Sequence, residues 1–185
     1  MESILTILMG GVLVNNYVLQ NALGVAPFLG YSHKNQKTAA MGIATTLVML
    51  LATLITWPLQ TYLLAPLNAA YLQTLVFVVV IAAVVYLADA VARNAMHSPL
   101  KLYAPMIVLN GAVLGVTMNN ITLGYTYGQA MLATLGVGLG FLLALLLMNG
   151  IQSKISDKHV PKAFRGLPIT LVAASILALA VMAFK

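Results

Sequence analysis

The sequence predicts an all-α integral membrane protein of six transmembrane helices, built as two inverted three-helix repeats whose first and fourth spans are interrupted. Three observations carry this. The 185 residues are 62% hydrophobic and only 6% charged, with a mean hydropathy of +0.99, a balance that a water-soluble domain of this length does not sustain. Six apolar stretches near the roughly 20 residues that cross a hydrocarbon core nearly fill the chain. Eight of the nine Lys and Arg residues fall in alternate loops. A single polytopic domain over 1–185 follows, with no room for a soluble one.

The first span is expected from Ile4 to Leu23. Glu2 is the only charge before Lys34, and MESILTILMGG lacks the basic start of a cleavable leader, so this span is expected to remain in the mature protein. A polar loop over 30–37 follows. Span two, Thr38 to Trp57, is expected to close at Pro58 with Trp57 at interface depth. The loop from Leu59 to Pro66 is uncharged. Span three, Asn68 to Val91, is rich in β-branched residues, and its length favours a helix over a strand.

Asp89, Arg93, His97 and Lys101 mark the third connection. Span four, Leu102 to Met118, is short, and the loop that follows holds Asn119, Asn120, Gly124, Tyr125 and Tyr127 without a charge. Span five runs from Gly128 to Ile151. The longest hydrophilic segment, 152–166, carries Lys154, Asp157, Lys158, His159, Lys162 and Arg165. Pro168 suits the first position of span six, which ends near Phe184.

The first, third and fifth loops thus hold Lys34, Lys37, Arg93, Lys101, Lys154, Lys158, Lys162 and Arg165. The positive-inside rule then places both termini outside the cytoplasm. The pI near 9.7 reflects this loop charge and lipid headgroup contact, not a nucleic-acid partner. With three spans each, 1–92 and 93–185 enter the bilayer from opposite sides and form inverted repeats. A short echo, Leu23-Gly24-Val25-Ala26 against Leu114-Gly115-Val116-Thr117, points the same way.

Polar residues inside the spans are the candidate functional groups. Asn15, Asn16, Gln20 and Asn21 lie within the first span, and Asn110 lies in the fourth. On a helix Asn16 and Gln20 share a face, with Asn15 roughly 100° from Asn16. An unpaired amide in hydrocarbon costs several kcal/mol, so these groups face protein, water or a ligand. Interhelical hydrogen bonding explains any one of them; their clustering favours a lined midplane pocket.

Gly24, Pro27, Pro105 and Gly111 mark where these spans leave helical geometry, which membrane depth tolerates only beside protein or a cavity. Asp89 is either part of an ion path or a helix-end partner of Arg93. Gly136 and Gly140 form a GxxxG pair suited to close helix contact, without the lysine and hydroxyl of a phosphate loop. His33, His97 and His159 share no ligand spacing. The cysteine count is zero, which excludes disulfides, thiolate metal sites and a cysteine nucleophile. No residue is singled out as catalytic.

Four segments carry a family resemblance: LVNNYVLQNALGVAPFLGYS at 13–32, MGIATTLVML at 41–50, LNGAVLGV at 109–116, and VPKAFRGLPITLVAASILALAVMAF at 160–184. Together they resemble the A-type membrane component of the Rnf electron-transport complex and its homologue, the E-type component of the sodium-pumping NADH:quinone reductase (Nqr), over nearly the whole chain. The resemblance implies a subunit of a bacterial or archaeal cytoplasmic-membrane complex that couples ferredoxin- or NADH-linked electron transfer to Na⁺ or H⁺ transport. It also implies a sister membrane subunit of opposite topology and further flavin and iron-sulfur partners.

In that family a cysteine precedes the proline of the first break and another follows the asparagine of the second. With two from the sister subunit, they hold a [2Fe-2S] cluster. Here those positions are Ala26 and Gly111, so the chain is expected to supply no cofactor ligand. Asp89 stands where the family carries glutamate. A cluster-free inverted-repeat transporter, and a structural anchor for flavin or haem subunits, are the alternative readings.

Overall fold

A computed structural model describes residues 4–14, 16–21, 23–24, 35–95, 106–155 and 160–182, and every regular element among them is helical. Helix α1 (Ile4–Met9) runs into a π-helical turn (Gly10–Val14). Helix α2 (Asn35–Leu59) continues through a second π turn (Gln60–Leu64). A 3₁₀ turn (Ala70–Leu72) leads into α3 (Gln73–Ala95). Helices α4 (Gly111–Thr122), α5 (Tyr127–Lys154) and α6 (Leu167–Met182) complete the order, with a 3₁₀ turn (Lys162–Phe164) before the last. Three apolar segments are long enough to cross a membrane, Thr38–Leu64, Ala70–Ala90 and Tyr127–Lys154; Met106–Thr122 and Leu167–Met182 are shorter apolar helices.

Pro58 does not end its helix, contrary to the expected boundary. A proline removes one donor from the i→i−4 ladder, yet the chain stays helical and passes into the wider π turn, with Ala65 N–H donating to the Gln60 carbonyl at 2.9 Å and Ala69 N–H to that of Leu64 at 3.0 Å. Trp57 Nε1 donates to the Tyr125 carbonyl at 2.8 Å, and its ring meets those of Tyr62 and Tyr127 edge-on. The two uncharged loops therefore share one end of the helical assembly.

Helices α2 and α5 form the most extensive packing in the fold. Gly42 lies against Leu142, Thr46 Oγ1 donates to the Gly138 carbonyl at 3.1 Å, and the Thr53 and Thr134 hydroxyls are 2.9 Å apart. Contact positions rise along one helix as they fall along the other, so the pair is antiparallel. The first segment instead runs parallel to α5. A Cβ at Gly136 would stand 2.7 Å from the Leu8 carbonyl oxygen, and one at Gly140 would stand 2.7 Å from that of Gly11. The GxxxG pair thus brings two backbones into contact, the close approach that small residues permit in membrane helices.

Among the described residues, buried hydroxyls do not remain unpaired. Thr45 and Thr56 donate to the carbonyls four residues earlier, at 2.9 and 2.8 Å. Phe77, Phe141, Met41, Met49 and Met148 fill the centre, while Leu47, Leu51, Leu75, Val79, Leu87 and Leu179 point outward. That apolar exterior is what a lipid solvent requires.

Candidate functional site

The site forms where the two interrupted segments meet. In the first, Asn16 makes the break: its Oδ1 accepts from the Val18 and Leu19 N–H groups at 3.1 and 3.2 Å, the local pairing by which Asn diverts a chain from helix. Its Nδ2 donates to the Gly140 carbonyl at 2.9 Å and the Val12 carbonyl at 3.2 Å. Asn16 is therefore fully committed, tying the break to α5. Further on, Leu23 N–H donates to the Tyr17 carbonyl at 2.8 Å, and Gly24 adopts φ +78°, a left-handed conformation that glycine accepts freely.

In the second, a helical turn over 106–108 stops at Leu109 and Asn110. Asn110 is extended, φ −76° and ψ 109°, and caps α4 by accepting from Ala112 N–H at 2.9 Å. That bond fixes the amide: Oδ1 faces its own helix, and Nδ2 is buried with no partner among the described residues. Asn110 is 2% exposed.

The two breaks touch. A Cβ at Gly24 would meet Asn110 Oδ1 at 2.7 Å, Phe141 at 2.9 Å and Ala112 at 3.2 Å; one at Gly111 would lie 3.5 Å from Leu23 Cδ2 and 3.8 Å from Gly24 N. At Gly24 there is no space for a side chain, while at Gly111 a Cβ makes ordinary contact. Below them, Tyr17 accepts from Asn119 Nδ2 at 2.7 Å, so the segments run antiparallel.

The other polar positions separate. Gln20 is half-buried and Asn21 exposed, and Asp89 is 3% exposed on α3, one turn from the buried Val85. Asn15, Ala26, Pro27, Pro105 and the three histidines lie outside the described residues or side chains. The LGVA and LGVT echo does not mark equivalent geometry, because Gly24 is left-handed whereas Gly115 is inside α4. A buried network that the sequence does not single out joins α4 to α5: Asn120 Nδ2 donates to Thr134 Oγ1 at 3.0 Å, and Thr134 donates to the Ala130 carbonyl at 2.7 Å. Its only signal was the placement of Asn120 and Thr134 either side of an uncharged loop.

Comparison with known proteins adds an independent line. A family model described as "Rnf-Nqr subunit, membrane protein" matches residues 4–185. The chain is 43% identical over 187 residues to the A-type component of the ion-translocating oxidoreductase complex of Syntrophotalea carbinolica, covering 100% of this chain and 97% of the relative. It is 41% identical to the proteins of the same description from Escherichia fergusonii, over 188 residues, and Serratia proteamaculans, over 187, with the same coverage.

Proposed function

The chain belongs to the Rnf-Nqr family of membrane-protein subunits, and from that premise we propose that it is the A-type membrane component of an ion-translocating oxidoreductase complex. The contact between the breaks at Gly24 and Asn110 carries the reading, since an inverted pair of interrupted helices is expected to meet in this way. The helix pairing supports six spans in two repeats. Exchanging the halves turns the contact of α5 with the first segment into that of α2 with α4, and the contact of α2 with α3 into that of α5 with α6. The uncharged loops share one end through Trp57 and Tyr125, which agrees with both termini on the non-cytoplasmic side of the membrane. The partners are a sister subunit of opposite topology and flavin and iron-sulfur proteins, and the coupled reaction is ferredoxin- or NADH-linked electron transfer driving Na⁺ or H⁺ transport.

The residues present do not fit a [2Fe-2S] cluster. Such a cluster is held by thiolates, or in one class partly by histidine, whereas the sequence contains no cysteine and Gly111 offers no ligating atom. Beside it, Asn110 presents N–H groups rather than a lone pair. No His, Cys, Asp and Glu grouping suited to a metal ion occurs among the described residues. No electron step is therefore assigned to this chain; its contribution is scaffold and pocket, with Asn110 at the junction and Asn16 tying the first break to α5.

Purification with native partners, followed by identification of each component and by flavin and iron quantification, tests this. Co-purification with flavin proteins and a second membrane protein of the complex is the expected result. A chain that isolates alone and is thermally stabilised by a small solute contradicts it.

A further inference from the structure

A second polar site lies away from the junction. Between the π turn of the first segment, the end of α4 and the start of α5 is a cavity of about 320 Å³, with Gly10, Gly11, Tyr17, Asn119, Asn120 and Tyr125 among its lining residues. Leu123 and Tyr125 bring the uncharged loop after α4 to its wall, and among the described lining residues none is charged.

Hydrogen-bond bookkeeping defines what this wall offers. Asn120 Nδ2 donates to the Ala130 carbonyl at 3.4 Å as well as to Thr134. A carbonyl only accepts, so this fixes the amide orientation and leaves Oδ1 without a partner among the described residues. Asn120 is 2% exposed, and no Asn120 atom is among the fully buried, unpaired ones, so that oxygen borders the cavity. The Asn119 donor is likewise engaged by Tyr17.

The wall therefore presents the Asn120 side-chain oxygen with the Asn119 and Asn120 amide N–H groups already committed. None of the described lining residues is a Lys, Arg or His that would balance an anion. A divalent cation of the Ca²⁺ or Mg²⁺ type takes carboxylate ligands, of which the cavity has none. Neutral oxygens beside irregular helix are the surroundings in which membrane proteins hold monovalent cations, and π turns recur at functional sites.

We propose that this cavity binds a monovalent alkali-metal cation, with Asn120 Oδ1 as its most buried ligand. The proposal deepens, and rests on, the reading of the chain as part of an ion-translocating complex. With the uncharged loops outside, the site is the outward-facing station for the transported ion.

Gly10 supplies a test, because it lines the cavity and a Cβ there meets nothing within 4 Å; Gly10→Leu adds bulk at the cavity wall. Asn120→Leu removes the oxygen itself but also its amide bonds, so Gly10→Leu decides if that variant fails to assemble. The intact complex is assayed in NaCl, LiCl, KCl and choline chloride at constant ionic strength, for melting temperature and for cation-dependent turnover. Alkali cations are expected to raise the melting temperature above that in choline, and Gly10→Leu to raise the half-saturating cation concentration about tenfold. Equal melting in all four salts, or an assembled Gly10→Leu complex with the wild-type half-saturating concentration, overturns the site. A complex that turns over but moves no cation into vesicles overturns the underlying reading instead.

Discussion

Gly24 and Asn110, 86 positions apart, are packed so closely that a single methyl at Gly24 would stand 2.7 Å from Asn110 Oδ1. Gly24 is also left-handed, at φ +78°. A side chain there costs about 1–2 kcal/mol from backbone conformation alone, before any displacement of the α4 cap. Gly24→Ala is expected to lower the melting temperature of the complex, whereas Gly128→Ala, where a Cβ meets nothing, is not. Equal melting of the two variants would show that the breaks are not in contact.

The absence of native cysteine permits topology to be read by single introduced thiols. Tyr62→Cys lies in the π turn after α2, Leu123→Cys lies just after α4 at the same end, and Ser153→Cys is exposed at the opposite end of α5. An impermeant maleimide added to intact cells is expected to label positions 62 and 123 but to reach 153 only after lysis. Labelling of 153 in intact cells would reverse the orientation.

Helix α5 carries two kinds of glycine. Gly140→Ala places a Cβ 2.7 Å from the Gly11 carbonyl oxygen, overpacking of a kind that costs about 1–3 kcal/mol. Gly150 meets nothing within 4 Å, so Gly150→Ala is expected to be neutral or to stabilise by up to about 1 kcal/mol through helix propensity. Reversible unfolding in mixed micelles separates the two; a destabilising Gly150→Ala together with a neutral Gly140→Ala would contradict the packing.

The Thr53 and Thr134 hydroxyls join α2 to α5 at 2.9 Å. A double-mutant cycle with Thr53→Val and Thr134→Val is expected to give a coupling of about 0.6 kcal/mol, the average for such bonds between membrane helices. Coupling indistinguishable from zero would mean that the contact is incidental.

Much of this fold was legible in the sequence because a bilayer leaves few solutions. Apolar length predicted helices, and of the break markers Gly24, Pro27, Pro105 and Gly111 the two glycines lie at the observed junction while the prolines fall outside the described residues. What was not legible depended on partners. Asn16 and Asn110 look alike in sequence, yet Asn16 spends its amide on Gly140 while Asn110 leaves Nδ2 unpartnered among the described residues. Pro58 suggested an end where the helix instead continues into a π turn. The pairing of Asn120 with Thr134 is not legible because their bond exists only once α4 and α5 are folded together.

Restoring a ligand set at the junction tests most directly whether the breaks build the family's midplane site. A Cβ at Gly111 makes only ordinary contacts with Leu23 and Gly24, so Gly111→Cys is sterically accommodated. The measurement is iron and acid-labile sulfide, with the visible absorption spectrum, in the complex carrying Ala26→Cys and Gly111→Cys beside a cysteine-bearing sister subunit. Iron above that of the unmodified complex, with [2Fe-2S] absorption lost in either single variant, is the predicted result. An assembled double variant with no added iron and no such absorption would contradict the placement of the site.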